Sequence, residues 1–161
     1  MYMVLQYFKK KENEYKILAD KIYLSILDKS KELIKKDYFK EVNFDSSFEL
    51  ISIILVFYLK IYKEKKTNNN KINDELMKNF INDIDKSMRE IGIGDMNLGK
   101  YVKKYVKKFY YRIKIIDPLL NDYSAEKFID YLNSVKSINK NNTKNMADDL
   151  INLYREIQIN K

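Results

Sequence analysis

The sequence predicts an all-α fold, a single compact domain of about six helices over residues 1–161. Three observations carry this. Apolar residues recur at helical spacing along nearly the whole chain. One Pro and three Gly in 161 residues are too few turn formers for a β sandwich or barrel. Hydrophobic content of 45% and aromatic content of 14% exclude a disordered chain. The length suits one domain, and a chain of this size buries roughly 68–70% of its unfolded surface.

The elements follow in order. Tyr15, Leu18, Ile22, Ile26 and Leu33 mark a long first helix, from about Asn13 to Lys36. Phe44 to Ser47 reads as a loop in which Asp45 or Ser46 caps a second helix, with Glu49 near the capping-box position. That helix, to about Glu64, is apolar on most sides and is expected at the centre of the core. Its apolar run, Leu50 to Leu59, is too short to span a bilayer, which takes about 20 residues. Lys65 to Lys71 is a polar loop, and a third helix runs from about Asn73 to Ile91 with Leu76, Phe80, Ile84, Met88 and Ile91 on one stripe. A fourth helix starts near Asp95 or Asn97 and stops at Asp117, because the residue before a Pro is pushed out of helical conformation. Ser124 caps a fifth helix reaching about Val135. A polar stretch, Asn139 to Asn145, precedes a last helix from about Met146 to Ile157.

Absences bound the chemistry. Without Cys or His there are no Cys/His zinc sites, no Ser-His-Asp or Cys-His nucleophiles and no thiol redox chemistry. Met1 to Lys11 has neither an apolar h-region nor a transit-peptide bias, so no targeting segment is expected. The surplus of Lys, Asn and Ile reads as the composition of an AT-rich genome.

Net charge is +8. Lys100 to Asp117 holds seven basic residues and one acid, a net +6, while the rest of the chain, with 24 basic and 22 acidic residues, carries only +2. The basic character therefore has one address. At 100° per residue, Lys100, Lys103, Lys104, Lys107 and Lys108 share an arc of roughly 140°. Val102, Val106, Phe109, Ile113 and Ile116 lie opposite. This is either a solvated face over a buried stripe or a docking surface for RNA phosphates or anionic lipid heads.

All three Gly precede or open this helix. Gly92 sits where a left-handed helix-ending residue belongs, and Gly94 permits a second unusual angle. Gly99, in the first turn of the next helix, calls for close approach by another backbone or a ligand. The segment is a tight helical corner. It satisfies neither GxGxxG nor GxxxxGK[ST], and it follows a helix rather than a strand, so nucleotide binding is not expected. Asp85 and Arg89 form an i,i+4 pair. Arg89 and Glu90 are expected to tie the corner down by hydrogen bonds. An oxygen-ligand metal site on Asp83, Glu90 and Asp95, serving a small enzyme, is a weaker alternative because nothing fixes its geometry. The expectation is therefore no catalytic residue, no metal and no cofactor.

The run DIDKSMREIGIGDMNLGKYVKK closely resembles the signature of the ubiquinol–cytochrome c chaperone family, assembly factors for the cytochrome bc complex. The matching positions are Asp83, Asp85, Arg89, Glu90, Gly92, Gly94, Asp95, Gly99, Lys100, Val102, Lys103 and Lys104, with Phe109, Tyr110 and Arg112 matching a later element. Phe48-Glu49-Leu50 resembles a second family stretch. Tyr111 stands where the family usually has Gly, and Ile54 where it commonly has His, which marks a divergent bacterial-type member. The resemblance covers about residues 15–117 and is concentrated in 83–112.

The resemblance implies a non-catalytic chaperone that binds newly synthesised, unassembled cytochrome b. Its place would be cytoplasmic, peripheral to the inner membrane, and DNA is not among the expected partners. Contact with the ribosome, as in mitochondrial relatives, or with an anionic membrane surface is a further possibility within it. The expected partner-binding residues are Asp83, Asp85, Arg89, Glu90, Gly92, Gly94, Asp95, Gly99, Lys100, Lys103, Lys104, Lys107 and Arg112. The alternative function is a basic-surface module for ribosomal RNA or anionic membrane.

Overall fold

The structure, a computed structural model, describes residues 2–64 and 69–160, with side chains at 10–64 and 70–160. It is all-α. Helices α1 (Tyr2–Ile34), α2 (Phe44–Glu64), α3 (Asn69–Glu90), α4 (Asp95–Asp122), α5 (Ala125–Ser134) and α6 (Thr143–Ile159) follow one another, with one short 3-10 turn, Lys140–Asn142, before α6. Among the described residues the only strand-like feature is an isolated antiparallel bridge between Phe39 and Ile138. It ties the α1–α2 connection to the α5–α6 connection, helped by Lys40 N–H donating to the Ser137 carbonyl at 3.0 Å.

As its apolar sequence predicts, α2 is central and packs against α1, α3, α4 and α6. Leu50, Ile53, Ile54, Leu55, Val56, Phe57 and Ile61 are all buried. Apolar burial at roughly 25 cal/mol per Å² is the main stabilising term. No helix among the described residues is long and apolar enough to cross a membrane.

Several boundaries differ from the sequence reading. Helix α1 begins at Tyr2 rather than near Asn13, since no Gly, Pro or cap residue interrupts the intervening stretch. Phe44–Ser47 is helical, and the cap is Asn43 rather than Asp45 or Ser46. Asn43 Oδ1 accepts from the Ser46 N–H at 3.1 Å, while Ser46 Oγ accepts from the Asn43 N–H at 2.8 Å, a reciprocal capping box. Of the loop expected at Lys65 to Lys71, 65–68 lie outside the described residues and 69–71 are already helical. Ser124 caps α5 as expected, accepting from the Lys127 N–H at 3.4 Å.

The largest departure is at Pro118, which lies inside α4 rather than beyond its end. Local preference is overridden by packing. Ile116 and Leu120, on either side, are both buried. Asp117 is held by Lys60 Nζ at 3.0 Å, and Lys60 is itself buried in α2. An interior Pro costs about 3 kcal/mol or more through a lost hydrogen bond and a clash. Burying two branched side chains, at about 1.5–3 kcal/mol each, offsets that cost.

Candidate functional site

The corner between α3 and α4 is built by hydrogen bonds that the sequence makes possible. Gly92 has φ +96°, the left-handed value that a side chain resists. Its N–H donates to the Arg89 carbonyl at 3.0 Å, and the Ile93 N–H donates to the Met88 carbonyl at 3.0 Å. This is a Schellman closure, with Ile93 packed on the core beside buried Met88. Arg89 then spans the bend. Its Nε donates to Asp85 at 2.9 Å on its own helix, and a terminal nitrogen donates to Asp95 at 2.5 Å on the first turn of α4. These two carboxylates, with their hydrogen bonds and charge, raise the already high Arg89 pKa. Asp95 also suits the positive end of the α4 dipole. The expectation that Arg89 ties the corner is met; Glu90 is exposed at the end of α3.

The other two glycines behave differently from expectation. Gly94 caps α4 at φ −70°, an ordinary extended angle, so no second unusual conformation exists. Around Gly99 nothing lies within 4 Å of where a Cβ would stand, so no backbone approaches it closely.

Beneath α4 lies an aromatic cluster drawn from three helices. Phe48 meets Phe80 at 5.9 Å and Tyr105 at 4.9 Å, and Phe80 meets Phe109 at 4.7 Å between ring centres. Tyr105 donates to Asp45 at 2.9 Å; burial first, then that carboxylate, push its phenol up to about 12. Lys108 lies 4.7 Å over the Tyr105 ring and 3.8 Å from Asp45. It is therefore a half-buried strut rather than a free cation.

Arg112 is turned inward. Its Nε donates to Glu49 at 2.7 Å, a second nitrogen bonds the other carboxylate oxygen, and a third donates to the Lys108 carbonyl at 3.0 Å. Its guanidinium stands 5.4 Å from the Phe48 ring centre. The Arg112 and Glu49 side chains are only 11% and 7% exposed. Burial works against the Arg112 charge, but the Glu49 hydrogen bond and charge outweigh it, and its pKa is raised. Arg112 thus closes the fold rather than presenting charge. Glu49, read from sequence as a capping residue, is its partner from 63 residues away. Neither spacing nor composition foretells that pairing, although both residues fall in the two stretches that resemble the family.

What remains on the surface is a lysine face. Lys100, Lys103, Lys104, Lys107 and Lys114 are exposed, and none pairs with a carboxylate among the described residues. Met96, Tyr110 and Tyr111 stand on the same helix, also exposed. The acids do not join them. Asp83 accepts from Tyr23 at 2.7 Å, binding α3 to α1, and with Asp85 it borders a separate α1–α3 groove that includes Asp20 and Leu24. Burial and then Asp83 push the Tyr23 phenol well above its ordinary value. Asp83 and Asp95 are thus engaged on different faces, and among the described residues no cluster of three acids could hold a metal.

Ile54, in the place where the family commonly has His, is fully buried. Tyr111, in place of Gly, adds a ring to the exposed face.

Comparison with known proteins places this geometry. No curated protein sequence matches the chain. The crystal structure of the Cbp3 homolog from Brucella abortus superimposes with a TM-score of 0.78 at 21% identity, covering 98% of this chain and 88% of that one. That likeness extends the fold over almost the whole molecule. The family model for the ubiquinol-cytochrome C chaperone matches residues 41–134, a span running from the cap of α2 through the corner to the end of α5. With the corner, the Glu49–Arg112 closure and α4 all inside that span, the chain belongs to the ubiquinol–cytochrome c chaperone family.

Proposed function

We propose that this protein is a non-catalytic assembly chaperone for the cytochrome bc complex, and that its client is newly synthesised, unassembled cytochrome b. Membership of the chaperone family carries the reading. The chemistry of the chain agrees with it. A holding function needs no nucleophile, and Asp85, Arg89 and Asp95 at the corner, with Arg112 behind it, are spent on structure. In this model α3, its corner and α4 form the partner surface, with Asp83, Asp85, Arg89, Gly92, Asp95 and Arg112 shaping it. Glu90, Gly94, Gly99, Lys100, Lys103, Lys104 and Lys107 make the contacts. The protein works in the cytoplasm, peripheral to the inner membrane, where cytochrome b is inserted.

The test is genetic. Deleting the gene should deplete haem-loaded cytochrome bc complex and leave cytochrome b unassembled. An affinity pull-down from membranes should recover cytochrome b. Normal levels of the assembled complex in the deletion strain would sink the reading. A second reading, a basic-surface module for ribosomal RNA or an anionic membrane, draws on the unpaired lysines of α4. It requires affinity that falls steeply with salt and vanishes on charge reversal of Lys103 and Lys107.

A further inference from the structure

We infer that the outward face of α4 is a docking surface for an anionic lipid bilayer, on which the helix lies flat while its opposite side stays packed on the core. The inference rests on the proposed function and deepens it by dividing the contact residues: Lys100, Lys103 and Lys107 meet lipid headgroups rather than the client, which is held at the corner by the others.

The charge is one-sided. Between Asp95 and Asp117 the helix contains no acid, and both flanking acids are already taken, Asp95 by Arg89 and Asp117 by Lys60. The lysines of this face are exposed and pair with no carboxylate among the described residues. At 100° per residue Met96, Lys100, Lys103, Lys107, Tyr110 and Lys114 fall within about 80° of arc, so they project in nearly one direction. From Lys100 to Lys114 they extend along about 21 Å of helix, enough to meet several headgroups at once.

The apolar residues decide between lipid and nucleic acid. Met96 is 99% exposed at the tip of the helix, in line with the lysines, and Tyr110 is 58% exposed beside them. A bare thioether gains nothing from phosphates alone. It does gain from the boundary between headgroups and acyl chains, where Tyr also settles and Lys extends its ammonium outward. The cation type points the same way. Both arginines of the segment, Arg89 and Arg112, are committed to carboxylates, leaving only lysines outside. Lysine is a point charge suited to diffuse attraction by a charged surface, whereas bidentate phosphate recognition in RNA favours arginine.

The experiment is co-sedimentation of the full chain with vesicles of phosphatidylcholine alone or with about one-third phosphatidylglycerol, at low and high salt, beside a structured RNA hairpin. The wild-type chain should bind the anionic vesicles at least tenfold better than the neutral ones, and high salt should remove most of that preference. Lys103→Ala with Lys107→Ala should abolish it. Lys16→Ala with Lys21→Ala, an equal loss of charge on exposed α1 positions, should leave it intact. Met96→Ser should weaken vesicle binding several-fold without altering any affinity for RNA. Equal binding to both vesicles, equal loss in the α1 control, an unaffected Met96→Ser variant, or RNA binding without vesicle binding would each overturn the inference. A failure here alongside intact capture of cytochrome b would leave the chaperone reading standing; vesicle binding without any client would do the reverse.

Discussion

Replacing Arg112 with Ala should be among the most damaging single changes in the molecule. The substitution removes both hydrogen bonds to Glu49, the one to the Lys108 carbonyl and the cation above the Phe48 ring. More costly than these losses is what stays behind: a Glu49 carboxylate with a 7% exposed side chain and no cation. Breaking a buried pair from one side costs about 3–5 kcal/mol. Domains are stable by only about 5–15 kcal/mol in total. At roughly 2–4 °C per kcal/mol for a chain of this length, the midpoint should fall by about 6–20 °C. The assay is thermal unfolding, with urea unfolding for the free energies, of the wild type, Arg112→Ala, Glu49→Leu and a double variant carrying Glu49→Leu with Arg112→Met. Replacing both charges by apolar groups of similar bulk should restore most of the stability, because such exchanges are often neutral or better. The single losses should therefore be strongly non-additive. A cost below about 1 kcal/mol for Arg112→Ala, or simple additivity in the double variant, would refute a buried, coupled pair.

Other outcomes follow from the same geometry. Gly92→Ala forces a side chain into the left-handed region and should cost about 1–2 kcal/mol, whereas Gly99→Ala meets open space within a helix and should add about 0.5–1 kcal/mol, both read by denaturant midpoint. Tyr131 is buried with a hydroxyl that has no hydrogen-bond partner among the described residues, so Tyr131→Phe should leave stability unchanged or raise it by up to about 1 kcal/mol; a clear loss would mean the hydroxyl is bonded. For Asp149, partial burial acts to raise the pKa, but hydrogen bonds from Lys36 and Tyr38 outweigh it and hold the carboxyl below its ordinary 3.8. Its stabilisation is therefore full above that ordinary value and lost as pH falls through the lower folded one. Asp149→Asn should flatten this acid limb in unfolding experiments run between neutral and strongly acidic pH.

Much of the architecture is legible in the sequence because it rests on periodicity. The stripe of Leu76, Phe80, Ile84 and Met88 puts α3 on the core, although its last expected member, Ile91, lies exposed past the helix end, and the near-continuous apolar run puts α2 at the centre. The left-handed Gly92 and the Arg89 tie are legible because capping chemistry acts over a few neighbouring residues. The misreadings at Pro118 and Glu49 share one physical origin, tertiary packing that overrides a local rule. Pro118 continues a helix because Ile116, Leu120 and the Lys60–Asp117 pair hold both sides of it. Glu49 near a helix start reads as a cap until Arg112, distant in sequence, claims it. Gly99 suggests a close approach, and no other backbone makes one. At the site, the wheel of α4 groups Lys108 with the exposed lysines, and the charge count adds Arg112, since sequence alone does not place Asp45 and Glu49 beside them.

The corner holds itself together through Gly92, Arg89 and two aspartates, and it asks nothing of the lysines beyond it. Exposed substitutions away from structural features usually change stability by no more than about 0.5 kcal/mol. The exposed face of α4 can therefore be rewritten one side chain at a time while the frame stays fixed. Such a molecule is an interchangeable head on a permanent mount: a protein engineer could exchange its lysines for acids, aromatics or serines and change the charge and shape of that face, with the fold as a constant background.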